Sequence, residues 1–234
     1  MSVGPRKPAR FPGLWLRAAA ALALAVVIGS ASLWWFWRGW EPSRDAYPVQ
    51  GIAVAVTQGE INWAGVRARG ADFAYIHVST GTDARDAAFP VNWASARAAG
   101  LSYGAELVYD PCARASDQAT LFITTVPRDN AALPPAIRLG DVPGCAPGRD
   151  RVLSELNTLI NLVEAHSGQP VLLHVSPAFE RAYRISEGVD RTLWLDGNFF
   201  PPDYAARGWV MWTASDGRRI DAVDGAVDWV VVAP

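Results

Sequence analysis

Short apolar runs alternate with segments of helical periodicity from Gly51 to the end of the chain. Each run is four to seven residues long and is bounded by Gly, Pro or Asp, which is typical of buried strands. Eight strands are predicted in this way, at 51–56, 72–78, 103–109, 135–139, 170–175, 192–195, 209–213 and 228–232. Apolar residues at spacings of three and four predict helices between them, at 62–69, 90–99, 115–126 and 149–166.

This alternation predicts an α/β fold in which helices wrap a mainly parallel sheet, either an open doubly wound sheet or a (β/α) barrel. The chain lacks a Gly-x-Gly-x-x-Gly sequence after its first strand, and it lacks a P-loop. The nucleotide-binding versions of these folds therefore lose support. In a barrel, ligands bind where the strands end, so we expect the pocket at the carboxyl ends of the strands.

The N-terminal region has a different pattern. An uncharged, strongly apolar run extends from Ala18 to Trp37, about the length of a membrane-spanning helix. Basic residues precede it and tryptophans crowd its end, as in a membrane anchor whose N-terminus stays in the cytoplasm. These are Arg6, Lys7, Arg10 and Arg17, then Trp34, Trp35, Trp37 and Trp40 around Arg38. A cleaved signal peptide is the alternative, with an apolar segment from Ala18 to Ile28.

The domain organisation follows from this pattern. Residues 1–17 are predicted to be a cytoplasmic basic segment, 18–38 a transmembrane helix, 39–49 a linker and 50–234 one exported barrel domain. The expected location is the inner (cytoplasmic) membrane, with a single span and the C-terminal domain in the periplasm or outside the cell. Export is expected for the anchor and for the signal peptide alike.

Composition excludes several partners. A net charge of -2 with mixed signs leaves no basic face, so nucleic acid is not an expected partner. No His, Cys or acidic spacing typical of a metal site is present, and we predict no metal and no cofactor. The two cysteines, Cys112 and Cys145, lie in predicted loops of an exported domain. We expect a disulfide bond between them, with two free thiols as the alternative.

The segment Gly51 to Tyr109 resembles the opening of family-25 glycoside hydrolases, the Chalaropsis-type lysozymes that cut peptidoglycan. The resemblance covers nearly everything after the linker, and its motifs occur in order along the chain. They are "QGEINW" at Gln58 to Trp63, "GTD" at Gly81 to Asp83, "NW" at Asn92, "HVSPAF" at His174 to Phe179, "LWL" at Leu193 to Leu195 and the terminal "DG...VD". This resemblance implies an irregular (β/α) TIM-like barrel. Cys112 and Cys145 also match a pair found in some Gram-negative members.

The resemblance further implies hydrolysis of the bond between N-acetylmuramic acid and N-acetylglucosamine. Such chemistry needs a carboxylic acid to protonate the leaving oxygen and a second carboxylate to stabilise a cation-like transition state. The family's first Asp falls on Ala53, and its Asp-x-Glu falls on Arg138 and Gly140. Only the last Asp is retained, as Asp228. Three further features of the family are also replaced. The acidic residue of its Thr-Glu-Gly turn falls on Thr80, and the aromatic residue and His of its third strand fall on Glu106 and Leu107. Its Trp-Gln-Tyr sequence falls on Trp212 to Ala214.

Other carboxylates could substitute for the lost pair. Asp228 and Glu106 are the candidate catalytic residues, although we expect Glu106 to pair with the Arg138 cation, which Asp228 could share. Asp141 can face the pocket only if its strand has already ended. The residues expected to line the pocket are Arg138, His77, Tyr109, Asp141 and Trp212. His77 and His174 are otherwise interpreted as packed or hydrogen-bonded strand residues.

Three functions remain open from the sequence. The first is a membrane-anchored, envelope-facing lysozyme-like domain with impaired catalysis that binds peptidoglycan or another envelope glycan. The second is an active N-acetylmuramidase that uses Glu106 and Asp228. The third is a structural or assembly protein of the envelope. Two free carboxylates roughly 5 to 9.5 Å apart across an open groove would favour catalysis, whereas a closed ion pair would favour its loss.

Overall fold

The computed structural model describes residues 12–82, 84–141, 144–145 and 147–234. Arg6, Lys7 and Arg10 of the predicted cytoplasmic segment and Asp83 of the "GTD" turn lie outside the described residues. The chain divides into two units, an N-terminal one that ends at Gly39 and a barrel unit from Trp40 to Pro234.

The described part of the N-terminal unit contains one helix, α1 (Pro12–Gly39), which begins six residues before the predicted span. Proline is tolerated in a first helical turn because its missing N–H would have no partner there. Within α1, Trp15–Phe36 has a mean hydropathy of 1.9 and none of it is buried. This is the one helix in the described ranges that is long and apolar enough to cross a membrane, and a signal sequence has the same properties.

The described part of the barrel unit contains one sheet, whose strands overlap the predicted ones apart from a short unpredicted strand at Ala84–Arg85, and one strand extends to Arg219 beyond the predicted 209–213. They are β1 (Gln50–Val54), β2 (Phe73–Thr80), β3 (Ala84–Arg85), β4 (Ser102–Val108), β5 (Ala136–Leu139), β6 (Leu172–Val175), β7 (Thr192–Asp196), β8 (Met211–Arg219) and β9 (Ala226–Val232). The sheet order β1-β9-β8-β7-β6-β5-β4-β2-β3 closes through a parallel pairing of β1 with β2. The predicted barrel is therefore confirmed, with β3 as a short addition to β2.

β9 makes the barrel irregular. It is antiparallel to both of its neighbours, β1 and β8, whereas the other barrel strands pair in parallel. The first residues of β9 consequently lie at the carboxyl ends of the parallel strands. This direction brings Asp228 opposite Ala53 of β1.

Helices pack around the sheet, and all four predicted ones are present. They are α2 (Trp63–Ala68), α3 (Phe89–Ala98), α4 (Ala115–Thr125) and α5 (Arg149–Ser167), followed by two short helices, α6 (Pro177–Tyr183) and α7 (Ile185–Gly188). The sequence analysis did not predict α6, although Ser176 caps it by accepting a hydrogen bond from the Phe179 N–H at 3.1 Å. α5 buries the predicted apolar stripe, which includes Leu156 and Ile160.

Strand alternation separates two apolar layers. Side chains on one face of the strands fill the barrel interior, and those on the other face pack under the helices. The interior cluster consists of Ala53, Phe73, Tyr75, Ala136, Leu172, Trp194, Met211 and Val230. On β4, Glu106 points inward while Leu107 belongs to the layer under the helices.

Residues 40–49, predicted as a linker, belong to the barrel unit. Tyr47 lies edge-on against Trp212 at 5.6 Å between ring centroids. The Gln50 side-chain amide donates to the carbonyl oxygens of Pro42 and Tyr47. The segment is thus docked on the barrel by packing and hydrogen bonds that its polar composition did not indicate.

Cys112 and Cys145 form a disulfide bond, with their Cα atoms 6.2 Å apart. The bond joins the loop after β4 to the loop after β5. Both loops follow the carboxyl ends of their strands, where the pocket was expected. The disulfide therefore restrains the backbone beside that end of the barrel.

We expect loss of this bond to destabilise the barrel. The cysteines are 33 residues apart, and closing a loop of that length contributes about 3 to 4 kcal/mol on the chain-entropy model. A Cys112→Ser/Cys145→Ser variant should lower the free energy of unfolding by about that amount in urea denaturation. Reductant should leave the variant's midpoint unchanged and lower that of the wild type, and equal midpoints for both proteins without reductant would contradict the prediction.

Candidate pocket at the carboxyl ends of the strands

A cavity of about 410 Å³, here called the main pocket, opens at the carboxyl ends of the parallel strands. Its wall combines polar residues with an apolar rim. The lining residues are Ala53, Val54, Ala55, Thr57, Gln58, His77, Glu106, Val108, Arg138, Gly140, Asp141, Ser176, Asp196 and Asp228. The pocket therefore lies where the barrel fold predicted it.

Arg138 forms the centre of the charged groups in the main pocket. Its Nη1 donates to Asp228 Oδ2 at 3.0 Å and lies 3.9 Å from Glu106 Oε2. Burial alone would lower the pKa of Arg138, but the neighbouring carboxylates of Glu106 and Asp228 outweigh burial and raise it. The guanidinium is thus a permanent positive charge, and the expected Glu106–Arg138 ion pair is present.

Glu106 has a second cationic neighbour behind the pocket wall. Its Oε1 accepts a hydrogen bond of 2.6 Å from His174 Nδ1, and its side chain is only 6 % exposed. Burial would raise the pKa of Glu106, but His174 and Arg138 together lower it. Glu106 is therefore an ionised acceptor at neutral pH.

His174 connects two carboxylates. Its Nε2 is 2.7 Å from Asp196 Oδ1, and its ring stacks on Trp194 with centroids 3.9 Å apart and planes 4° apart. Burial would lower the pKa of His174, but Asp196 and Glu106 outweigh it and raise the pKa to about 9. The ring is consequently an imidazolium that donates from both nitrogens. The expectation that His174 is a hydrogen-bonded strand residue is confirmed.

Asp228 differs from the other two carboxyl groups. Burial raises its pKa, and the attraction of Arg138 only partly offsets that effect. Asp196, by contrast, has a lowered pKa because His174 overcomes the effect of burial. Three carboxyl groups thus share two cations, and Asp228 is the one whose pKa lies above its usual value.

Two positions of the main pocket carry little or no side chain. An added Cβ on Gly140 would meet nothing within 4 Å, so this position, to which the resemblance assigned the family's Glu, is open space. Ala53 presents only a methyl group. β5 ends at Leu139, so Asp141 lies beyond the strand and lines the pocket with an exposed side chain. Strand alternation therefore does not turn Asp141 away from the cavity.

His77 lines the main pocket as expected, and its Nε2 lies 3.0 Å from Thr80 Oγ1. The expectations for Tyr109 and Trp212 are wrong. Tyr109 packs against Phe179 in the layer under the helices, because it lies one residue beyond the inward-facing Val108. Trp212 is 1 % exposed in the same outer layer, since the inward position on β8 belongs to its neighbour Thr213.

The sequence analysis overlooked Asp196. Its position was readable in "TLWLD", because Trp194 and Asp196 are two residues apart at the end of a strand and face the same side. Thr213 contacts the same group, accepting from Trp194 Nε1 at 2.8 Å and lying 3.3 Å from His174 Nε2. Only the folded barrel brings these residues together from three strands.

A second cavity of about 340 Å³, the side pocket, adjoins the first and shares Arg138 and Asp196 with it. Its other lining residues are Pro177, Gly197, Asn198, Thr213 and Asp216. Together the two cavities form an acidic groove with Arg138 at the junction. Within the described ranges, no group of three or more His, Cys, Asp or Glu side chains is arranged to hold a metal ion.

Solved structures with this barrel include bacterial glycosyl hydrolases. A family 25 glycosyl hydrolase from Bacillus anthracis superposes with a TM-score of 0.76 at 25 % identity, covering 83 % of this chain and 92 % of that one. A bacterial lysozyme from Streptomyces coelicolor gives a TM-score of 0.70 at 25 % identity, covering 79 % and 91 %. The barrel is therefore that of a lysozyme-like glycoside hydrolase fold.

The sequence comparisons agree. Lysozyme M1 of Streptomyces globisporus is 27 % identical over 201 residues, 79 % of this chain and 67 % of the relative. The uncharacterized protein YegX of Escherichia coli K12 is 26 % identical over 193 residues, 80 % and 70 % of the two chains. The model described as Glycosyl hydrolases family 25 matches residues 52–222. This chain belongs to glycosyl hydrolase family 25.

The charge on His174 makes a prediction about stability. Folding raises its pKa from 6.5 to about 9, so the stabilisation is complete below pH 6.5 and is lost as the pH rises through 9. The free energy of unfolding should decrease by an amount on the order of 3 kcal/mol across that window. In a His174→Gln variant, the decrease in the free energy of unfolding with pH, measured by urea denaturation, should be much smaller.

His166→Gln is the matched control, because His166 bonds the Val126 carbonyl and does not contact the carboxylate groups. In this control the free energy of unfolding should decrease with pH as steeply as in the wild type. A His174→Gln variant that lost stability between pH 6.5 and 9 as steeply as the wild type would show that the imidazolium does not contribute.

Proposed function

We propose that this protein is a membrane-anchored, envelope-facing member of family 25 that binds peptidoglycan glycan without cleaving it at ordinary lysozyme rates. The observation that carries the proposal is the position of Arg138. Its guanidinium lines the main pocket, at a position to which the resemblance assigns a family Asp, and is ion-paired with Asp228. Both carboxylates expected to act as substitutes, Asp228 and Glu106, lie beside this cation.

Electrostatics support impaired catalysis. Glycoside cleavage develops positive charge at the sugar ring, and a carboxylate normally stabilises that charge. A fixed guanidinium in the same cavity opposes the developing charge, and its ion pairs already engage the two remaining carboxylates. Asp228 Oδ2 and Glu106 Oε2 lie within about 7 Å of each other, because they are 3.0 Å and 3.9 Å from Arg138 Nη1. They form a closed ion pair rather than a free pair across a groove.

Proton donation is also compromised. No side chain projects from Gly140, where the family's general acid would lie. Glu106 cannot replace it at neutral pH, because His174 and Arg138 hold its pKa below the usual value. General acid catalysis contributes about 10² to 10⁴ in rate, so its loss alone would leave slow turnover.

The retained groove supports binding. The main and side pockets still open at the carboxyl ends of the strands, with acceptors and donors from Glu106, Arg138, Asp141 and Asn198. Relatives with this fold are named as lysozymes, which makes peptidoglycan glycan the first ligand class to consider. Hydrogen-bonding side chains in a groove of this size are suited to sugar hydroxyl and amide groups.

α1 supports the membrane anchor. Its apolar stretch Trp15–Phe36 is long enough to span a bilayer, and it is wholly accessible. Trp34 and Trp35 near its end match the aromatic residues that sit at a membrane interface. With the basic segment on the cytoplasmic side, the barrel domain would face the periplasm or the cell exterior.

Two assays on the detergent-solubilised full chain test the proposal. We expect no clearing of a purified cell-wall suspension, together with binding of soluble peptidoglycan fragments at a dissociation constant of roughly 1 mM or tighter by calorimetry. Clearing at the rate of an ordinary lysozyme would refute the loss of catalysis. Absence of binding would instead favour the structural or assembly role.

Restoring the family's carboxylates should restore hydrolysis. In Ala53→Asp/Arg138→Asp/Gly140→Glu, the opposing cation is removed and a proton donor enters open space. We expect cell-wall clearing at least about 10² faster than that of the wild type. Arg138→Asp alone is the matched control and should stay slow because Gly140 still provides no acid.

Circular dichroism should first show that the triple variant is folded, since three acidic changes in one cavity can destabilise it. A folded triple variant that clears cell wall no faster than the single variant would show that something other than the replaced residues limits hydrolysis.

The raised pKa of Asp228 favours active hydrolysis as the second candidate function. In that case Asp228 would donate the proton and Glu106 would act as the carboxylate that stabilises the transition state. Wild-type clearing would then be measurable and would disappear in both Asp228→Asn and Glu106→Gln. The ion pairs of Arg138 with these two groups make this candidate the weaker one.

A further inference from the structure

The groove formed by the main and side pockets carries more negative than positive charge. Its cations are Arg138, at the junction of the two cavities, and His174, behind the wall of the main pocket. Its carboxyl groups come from four strands and one loop, and they are Glu106, Asp141, Asp196, Asp216 and Asp228. Burial raises the pKa of Asp228, but an excess of negative charge remains even when that group is protonated.

Both cations are already paired with carboxylates of the protein. The Arg138 guanidinium donates to Asp228 and lies 3.9 Å from Glu106 Oε2. His174 is fully buried, and its two ring nitrogens lie 2.6 Å from Glu106 and 2.7 Å from Asp196. Because each positive charge is closely paired, little of its field reaches a ligand, and the groove should disfavour anionic ligands.

Two carboxylates of the groove are not paired. Asp141 lines the main pocket just beyond the end of β5, and Asp216 lines the side pocket on β8. Both residues are exposed, and within the described ranges neither carboxylate makes a hydrogen bond or an ion pair. The backbone N–H of Asp216 donates to Asn198 Oδ1 at 3.1 Å, which holds this residue beside the side pocket. Each cavity therefore offers one carboxylate that is free to accept from a ligand.

A ligand with positive charges spaced along it complements this arrangement better than a single metal ion does. The two free carboxylates line different cavities, and the part of the chain that the structure describes contains no group of three or more side chains arranged for a metal. Among glycans, an amino sugar without its acetyl group carries such a charge. A protonated amine donates three hydrogen bonds, and those to carboxylates are charge-assisted.

We propose that Asp141 and Asp216 make the groove selective for glycans with free amino groups, meaning glucosamine units that lack the acetyl group, over fully N-acetylated glycans. This inference rests on the proposed glycan binding and names the class of glycan. Acetylation removes the charge of the amine and leaves a neutral N–H donor. Water screens the interaction because both carboxylates are exposed, so the selectivity comes from two moderate contacts rather than one strong contact.

Calorimetry on the full chain in an uncharged detergent tests the selectivity. The ligands are three tetrasaccharides, of glucosamine, of N-acetylglucosamine and of galacturonic acid, at about pH 6, where an amine of this kind is protonated. We expect the glucosamine tetramer to bind at least about tenfold more tightly than the acetylated one, and the anionic tetramer to bind most weakly. Salt at about 0.5 M should remove most of the preference.

Variants locate the selectivity at the two free carboxylates. Asp141→Asn/Asp216→Asn removes both charges at nearly constant size, and the fold should be retained because both side chains are exposed and unpaired. It should lower the affinity for the glucosamine tetramer about tenfold more than that for the acetylated one. Asp190→Asn is the matched control, since it removes an exposed carboxylate just before β7, at the opposite end of the barrel. This control should keep the wild-type preference.

The outcomes distinguish this inference from the proposed function. Equal or tighter binding of the acetylated tetramer, or binding of peptidoglycan fragments but of neither amino-sugar tetramer, would overturn the inference and leave glycan binding intact. A preference for glucosamine that persists in Asp141→Asn/Asp216→Asn, or that disappears in Asp190→Asn, would overturn it as well. Binding of no tetramer and of no peptidoglycan fragment would refute the proposed function and this inference together.

Discussion

The balance of charge at the floor of the barrel is the constraint on which the pocket depends. Buried charges are tolerated only when they are paired, and here Arg138, His174, Glu106, Asp196 and Asp228 pair with one another across four strands and the antiparallel β9. Each group influences the protonation of its neighbours, so replacing one of them changes the charge balance of the others. Removing one cation would leave carboxylates buried without compensation, and removing one carboxylate would leave a cation in the same condition.

The scaffold around this group has kept the architecture of its family. Barrel closure, the reversed last strand and the two apolar layers determine where side chains point, and none of them depends on the identity of the residues at the pocket floor. A strand that ends in Arg-Leu-Gly pairs with its neighbours by the same backbone hydrogen bonds as one that ends in acidic residues. Fold and chemistry can therefore separate, because function depends on the few side chains at the strand ends.

Residues 40–49 are held against the barrel by packing and hydrogen bonds. A flexible linker would allow the barrel to sample a large volume, whereas a docked segment fixes where the chain leaves the domain. The exit lies beside Phe199 and the side pocket.

Local pattern in the sequence determined the strands, the four main helices, the apolar N-terminal helix and the cysteine pair. Hydrophobic periodicity, segment length and the residues that bound each segment are all properties of consecutive residues. The sequence also singled out Arg138, Gly140 and Asp228, and all three line the main pocket. The tertiary structure decided which residues meet. It turned Tyr109 and Trp212 away from the pocket through strand alternation, and it placed Asp196 against His174 and Thr213. Sequence could not show this, since contacts between residues far apart in the chain depend on register and barrel closure.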